Sequence, residues 1–102
     1  MNADKRLGFN TMYEAVAASQ SDQVLGTSGA VGDLLENLIV SVATAATGTC
    51  SIKDGSGSAI VITAANTPIG VYSVKLGAKT TSGAWKVTTG AGATALAIGR
   101  FS

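Results

Sequence analysis

Short apolar runs of period two, each closed off by glycine, threonine or serine, limit what this chain can fold into more than any other feature. Leu38, Val40 and Val42 fall on one face of an extended segment, and Cys50 and Ile52 repeat the pattern. Ile60 and Ile62 follow, then Tyr72, Val74 and Leu76, then Trp85 and Val87, and last Leu96 and Ile98. Successive side chains of a strand point to opposite faces, so each run predicts a strand with one apolar side. Between Lys53 and Ser58 the stretch KDGSGS carries the Asp-Gly signal of a tight hairpin, because both residues tolerate the positive φ such a turn demands. Gly90 and Gly92 separate the last two runs. Five or more short strands, with no long helical stripe, predict an all-β fold: a small antiparallel sandwich or barrel.

The character of the chain changes near residue 23. Residues 1–23 are mixed and polar, and read as an N-terminal arm or short helix ahead of a β domain over 24–102. In TMYEAVAASQ, Met12 stands at i,i+4 from Val16 and Tyr13 from Ala17, which suits a short helix of marginal stability or an extended arm. Phe9, Met12, Tyr13 and Val16 are apolar side chains among polar ones, so this segment is a candidate partner-binding arm. The candidate core is Trp85, Val87, Leu76, Ile52, Ile60 and Ile62, all at strand phase.

Of 102 residues only 13% are charged, against roughly a quarter in ordinary globular domains. Between Lys86 and Arg100 there is no ionisable side chain at all. One Trp, two Tyr and two Phe, with Ala and Gly at many strand positions, leave a thin single-chain core. Low charge and a thin core together predict a covered surface and self-association. A membrane is not the expected cover, because each long uncharged stretch is interrupted by Gly, Asn, Pro or Thr well short of the about 20 apolar residues a spanning helix needs. MNADKRLGFN mixes Asp4 with Lys5 and Arg6 and has no apolar run of the kind a secretory signal carries, so synthesis in a cytoplasm is expected. A net charge of +1 gives no electrostatic footprint for nucleic acid, and Lys75, Lys79 and Lys86 read as solvated strand ends and turns.

Residues able to carry chemistry are scarce. The absence of histidine removes the usual base for a serine or cysteine nucleophile, and one cysteine cannot build a Cys/His zinc site. Cys50 itself, beside Ile52 at strand spacing, reads as a buried structural thiol. GAGATA from Gly90 starts like a dinucleotide-binding loop, but the alternating ALAIG that follows is not a helix. Asp33 and Glu36 are the one close carboxylate pair, and GDLLEN reads as a capping box on a single helical turn rather than a glycosidase pair. Asp54 reads as a turn residue, and Trp85 as core, with a sugar-stacking platform the competing reading. No enzyme activity, no cofactor and no metal are expected.

The run VGDLLENLIVSVATAATGTCSIKDGSGSAIVI, followed by SGAWKVTTGAGATALAIGRF, resembles small virion proteins of tailed bacteriophages, the head-fibre and capsid-decoration (cement) type. The likeness spans about residues 31 to 101, and its most specific pieces are IKDGSGSAI and SGAWKVTTGAG. It implies a structural protein on the outer surface of an icosahedral shell, bound to the major capsid protein in many copies and often as a homotrimer. The virion would be its location; residues 1–23 lie outside the likeness, and their apolar side chains are what makes them a candidate arm for anchoring on the capsid or on a neighbouring subunit. A head or tail fibre contacting the host cell and a carbohydrate-binding module are the alternatives.

Overall fold

The computed structural model describes residues 11–45 and 47–102. The described chain is all-β. Its strands are β1 (Met12–Val16), β2 (Gln23–Val24), β3 (Leu34–Val42), β4 (Cys50–Asp54), β5 (Ile60–Thr63), β6 (Gly70–Lys79), β7 (Trp85–Thr88) and β8 (Ala93–Arg100). They form two four-stranded antiparallel sheets, in the orders β1-β8-β3-β6 and β2-β7-β4-β5. The sheets pack face to face as a small sandwich. Its core joins Val16, Leu35, Leu38, Val40 and Val42 of the first sheet to Cys50, Ile52, Trp85 and Val87 of the second.

Most expected strands are present at the expected phase. Leu38, Val40 and Val42 point inward from β3, and Tyr72, Val74, Leu76 and Ala78 form the half-buried face of β6. Of the expected core, Trp85, Val87 and Ile52 are buried, while Leu76 and Ile62 are partly buried and packed against the central cluster. Ile60 is the exception, at 49% exposure. Its register explains why. Val87, Ile52 and Ile60 form one row across the second sheet, and Ile60 sits on the outer strand, where the sandwich ends and nothing covers it.

Three local expectations are corrected. First, residues 12–16 are neither helix nor arm. They form β1, paired along its length with β8, from Met12 opposite Gly99 to Val16 opposite Ala95. A five-residue helix gains too little from its own hydrogen bonds to offset nucleation, whereas the edge of β8 offers a full ladder. The β domain therefore begins upstream of residue 23, and Val16, 1% exposed, belongs to its core. Second, GDLLEN is not a helical turn, since β3 starts at Leu34. The Asp33 carboxylate instead accepts from Ala30 N, Ser102 N and Ser102 Oγ at 2.8–3.0 Å. Third, the turn after β4 is not a two-residue Asp-Gly hairpin. Residues 55–59 connect β4 to β5, and Gly55 alone takes the left-handed conformation, with φ of +57°. A Cβ at Gly55 would stand 2.5 Å from Ser82 Oγ and 2.6 Å from Gly83 N, so both φ and space demand glycine.

A bulge shapes β3. Leu35 pairs with Ala78 and Asn37 with Lys75, so Glu36 lies opposite both Leu76 and Gly77. Gly77 supplies the positive φ, at +61°, that the extra β6 residue requires.

Trp85 and Ile60 make a direct test of this core. Trp85 is 3% exposed and its indole Nε1 donates to Ala78 O at 3.3 Å, tying the second sheet to β6. Trp85→Ala is expected to lower unfolding stability by about 3–5 kcal/mol and Ile60→Ala by less than about 1.5 kcal/mol. Equilibrium urea unfolding of both variants measures the difference.

Candidate functional site

Strand β8 is built the opposite way round from a usual sandwich strand. Its inward positions are Ala93, Ala95, Ala97 and Gly99, all buried, and its outward positions are Thr94, Leu96, Ile98 and Arg100. The larger apolar side chains thus stand on the outside of the first sheet. Register extends this pattern into rows. Tyr13, Ile98, Asn37 and Lys75 lie side by side across the four strands. The next row is Ala15, Leu96, Ile39 and Ser73, and beyond it Thr94, Ser41 and Val71. Arg100, Leu34 and Lys79 close the other end.

The middle of this face is therefore uncharged, with Tyr13 73% exposed and Val71 71% exposed. Its cations, Lys75, Lys79 and Arg100, gather at one end. Glu36 at the bulge accepts from Thr11 Oγ1 at 3.3 Å, and Asp33, buried next to Leu34, is engaged with Ser102. At the opposite end Ala15, Ala17, Ser41, Thr94 and Leu96 line a shallow open depression, apolar apart from its two hydroxyls. Away from that cationic end, the face suits contact with an uncharged protein surface.

The second sheet shows what an ordinary solvent face looks like in this protein. Lys53 and Lys86 stand directly opposite one another on β4 and β7. Asp22 offsets their repulsion: its carboxylate takes Lys53 Nζ at 3.2 Å and the Thr88 hydroxyl at 3.1 Å. The Lys53 contact, then the Thr88 hydrogen bond, hold the Asp22 carboxyl below its usual range.

A second group of exposed apolar side chains lies elsewhere. Ile60 and Val61 of β5, Ile69 of the following connection and Val71 of β6 are all solvent-facing. From Gly55 to Val74 the chain contains no Asp, Glu, Lys or Arg. Val71 belongs to the outward row of Ser41 and Thr94 on the first sheet.

The remaining sequence candidates are structural. Asp33 and Glu36 belong to separate hydrogen-bond networks, one holding Ser102 and the other Thr11, and do not face a common cleft. Asp54 accepts from Ser82 N at 3.0 Å, from Thr81 N at 2.9 Å and from Thr81 Oγ1 at 2.9 Å, so it fastens the end of β4 to the β6–β7 connection. The Ser82 and Thr81 amides hold its carboxyl below the usual range. Cys50 is buried, with its Sγ accepting from Gly90 N at 3.5 Å. Trp85 is enclosed, so neither ring face is open to a sugar. Among the described residues no three His, Cys, Asp or Glu side chains converge as a metal site would require. Of the proposed arm, Met12 and Tyr13 are exposed on β1, Val16 is core, and Phe9 lies outside the described residues.

Sequence reasoning missed that Leu96, Ile98 and Ile39 are half-buried on the outward face. The signal was present in TALAIG, where alanine alternates with large residues, since one face of that strand had to be small and the uncharged flanks hid which one faced out.

Both depressed carboxyls set an acid limit. A carboxyl lowered by folding contributes stability above its unfolded pKa, near 3.8, and loses it as pH falls through the lower folded value. Thermal melts should hold level from pH 7 to about 5 and drop below about pH 4. Asp54→Asn is expected to melt lower than the parent at pH 7 and to lose less between pH 5 and 2. Equal acid sensitivity of the two proteins would assign the drop to other groups. Compared with protein-family models, with curated proteins and with solved structures, the chain matches none.

Proposed function

We propose that this protein is a non-catalytic structural component of a tailed-phage virion, covering or cementing the outer surface of the capsid in several copies. The observation that carries the reading is the outward face of the first sheet. Leu96, Ile98, Ile39, Tyr13 and Val71 are arranged there without a central charge, a costly surface to leave in water and a suitable one to press against protein. The resemblance of residues 31–101 to decoration and head-fibre proteins supplies the setting, and the major capsid protein is the proposed partner. A homotrimer is the assembly that the resemblance implies, and thin single-chain packing favours association of this kind.

The attachment surface in this reading is the sheet face rather than an N-terminal arm, because Val16 and the β1 ladder belong to the domain itself. A head or tail fibre contacting the host cell is the alternative reading, and it would use the exposed Tyr13 ring of the same face.

Co-sedimentation with shells stripped of their outer proteins tests the role. The full chain should pellet with the shells and saturate at a fixed ratio to the capsid subunit. It should also raise the temperature at which the shells rupture. Failure to pellet at tens of micromolar overturns the proposal.

A further inference from the structure

Among the described residues the two sheets end in β1, β2, β5 and β6, and three of these four edges are blunted. β2 is two residues long, and β5 is four residues long with a register shift against β4. β1 has five residues and turns a charge inward, since Glu14 stands in the row of buried Ala97 and Leu38. Short length, bulges and inward charges are devices that keep a foreign strand from adding to an edge. β6 is ten residues long and lacks them over its first part. From Gly70 to Lys75 it pairs with β3 without interruption, has no proline and carries no charge before Lys75. Its bulge comes only afterwards, at Gly77.

We propose that the free edge of β6 from Gly70 to Lys75 is a binding site for an extended segment of another protein, which adds to the first sheet as a fifth strand. The inference stands on the sheet edge alone and does not depend on the virion role. Every second residue of an edge strand directs its N–H and C=O away from the sheet, so the complementary ligand is a backbone in strand conformation. The bulge at Gly77 ends the regular stretch and limits the paired length to the six residues from Gly70 to Lys75.

Side chains define the ligand further. Tyr72 and Val74 continue the rows of Val40 and Leu38, which are fully buried, yet are themselves only half-buried. The interior is therefore uncovered along this side. Gln23 Nε2 donates to Glu14 at 2.9 Å and joins β2 to β1, so β5 borders the sandwich on the same side as β6. There Ile60, in the inward row of Ile52, is left 49% exposed. An added strand completes these rows when its inward residues are apolar. Its outward residues stand beside Val71, Ser73 and Lys75, so they are uncharged except for one carboxylate opposite Lys75. In an antiparallel ligand that carboxylate lies at the N-terminal end, because Lys75 closes the C-terminal end of the open stretch.

A second copy of this chain fits less well. Its β1, β2 and β5 edges are blunted, and β6 against β6, paired about Ser73, sets each Lys75 opposite the Val71 of the other without a counter-charge.

The probe is the peptide acetyl-Glu-Val-Thr-Val-Thr-Ser-amide, which puts Glu opposite Lys75 and the two valines opposite Val74 and Tyr72. Titrated into the full chain up to about 2 millimolar, it should shift the backbone amide resonances of residues 70–75 and slow exchange of the β6 amides that do not face β3. Of two versions N-methylated at the valines or at the threonines, one should lose binding and the other keep it, since only one set of N–H groups faces β6. Lys75→Glu should weaken binding by about fivefold, and a peptide beginning with Lys should recover it. Lys75→Gln replaces the reversal if circular dichroism shows a disturbed fold, and should weaken binding without favouring the Lys peptide. No shift of residues 70–75 overturns the inference, as do shifts centred on β1 or β5. Equal binding by both N-methylated versions overturns it, because a strand ladder is one-sided. Self-association of the parent that already protects the β6 amides would give the edge to a second copy and overturn it too. Shell binding plays no part in these measurements, so failure of the virion role and failure of this site give different results.

Discussion

Strand β8 lies between β1 and β3 and shows the interior only Ala93, Ala95, Ala97 and Gly99, so the volume of the core has to come from the strands around it. Leu35, Leu38, Val40 and Val42 of β3 supply it from one side, and Trp85, Val87 and Ile52 from the facing sheet. Close packing then leaves no space inside for Leu96 or Ile98. Their outward placement is the other half of the same constraint, because a strand that is small on one face can keep β propensity only by carrying its branched and large residues on the other. The uncharged exterior is in this sense dictated by the interior.

Polar side chains finish what the thin core begins. Asp33 gathers the Ala30 amide and both donors of Ser102, while Ser102 O accepts from Ser28 N and Gly29 N. Thr80, buried beside them, bridges Gly32 N and Ala30 O. Glu14 takes Gly26 N at 2.7 Å and the Gln23 amide at 2.9 Å, and fixes the passage from the first sheet to the second. Such bonds to buried or half-buried carboxylates stabilise more than neutral ones, and they hold the loops at the ends of the sandwich where apolar contacts run out.

Strand existence and phase were legible in the sequence because they depend on local alternation: the runs through Leu38, Ile52, Tyr72, Trp85 and Leu96 all fall where period two puts them. The identity of the inward face was not legible for β8, since alternation fixes the period and leaves the sign to packing. Nor was the fate of residues 12–16. Met12 and Val16 fit a helical spacing and a strand spacing equally, and the decision was made by the open edge of a strand about eighty positions away. Ile60 carries the right phase and the wrong depth, because burial at the border of a sheet depends on what stands opposite. Functional reading met the same limit: scarcity of charge was visible in composition, but its concentration on one face appears only when Tyr13, Leu96, Ile39 and Val71 are brought together by register.

The pairing of β1 with β8 has a consequence for how the chain comes to be made. Among the described residues only β4 and β5 are joined as a local hairpin, and every other ladder links strands separated by another part of the chain. β1 has no partner until the segment from Ala93 to Arg100 has been made, so the first sheet cannot close before that segment is present. Folds dominated by such distant pairings are slow, because loop-closure entropy is spent before the contacts form. During that interval the stretch AIVIT is exposed with no charge to guard it, which makes the nascent chain, more than the finished one, the species at risk of aggregation.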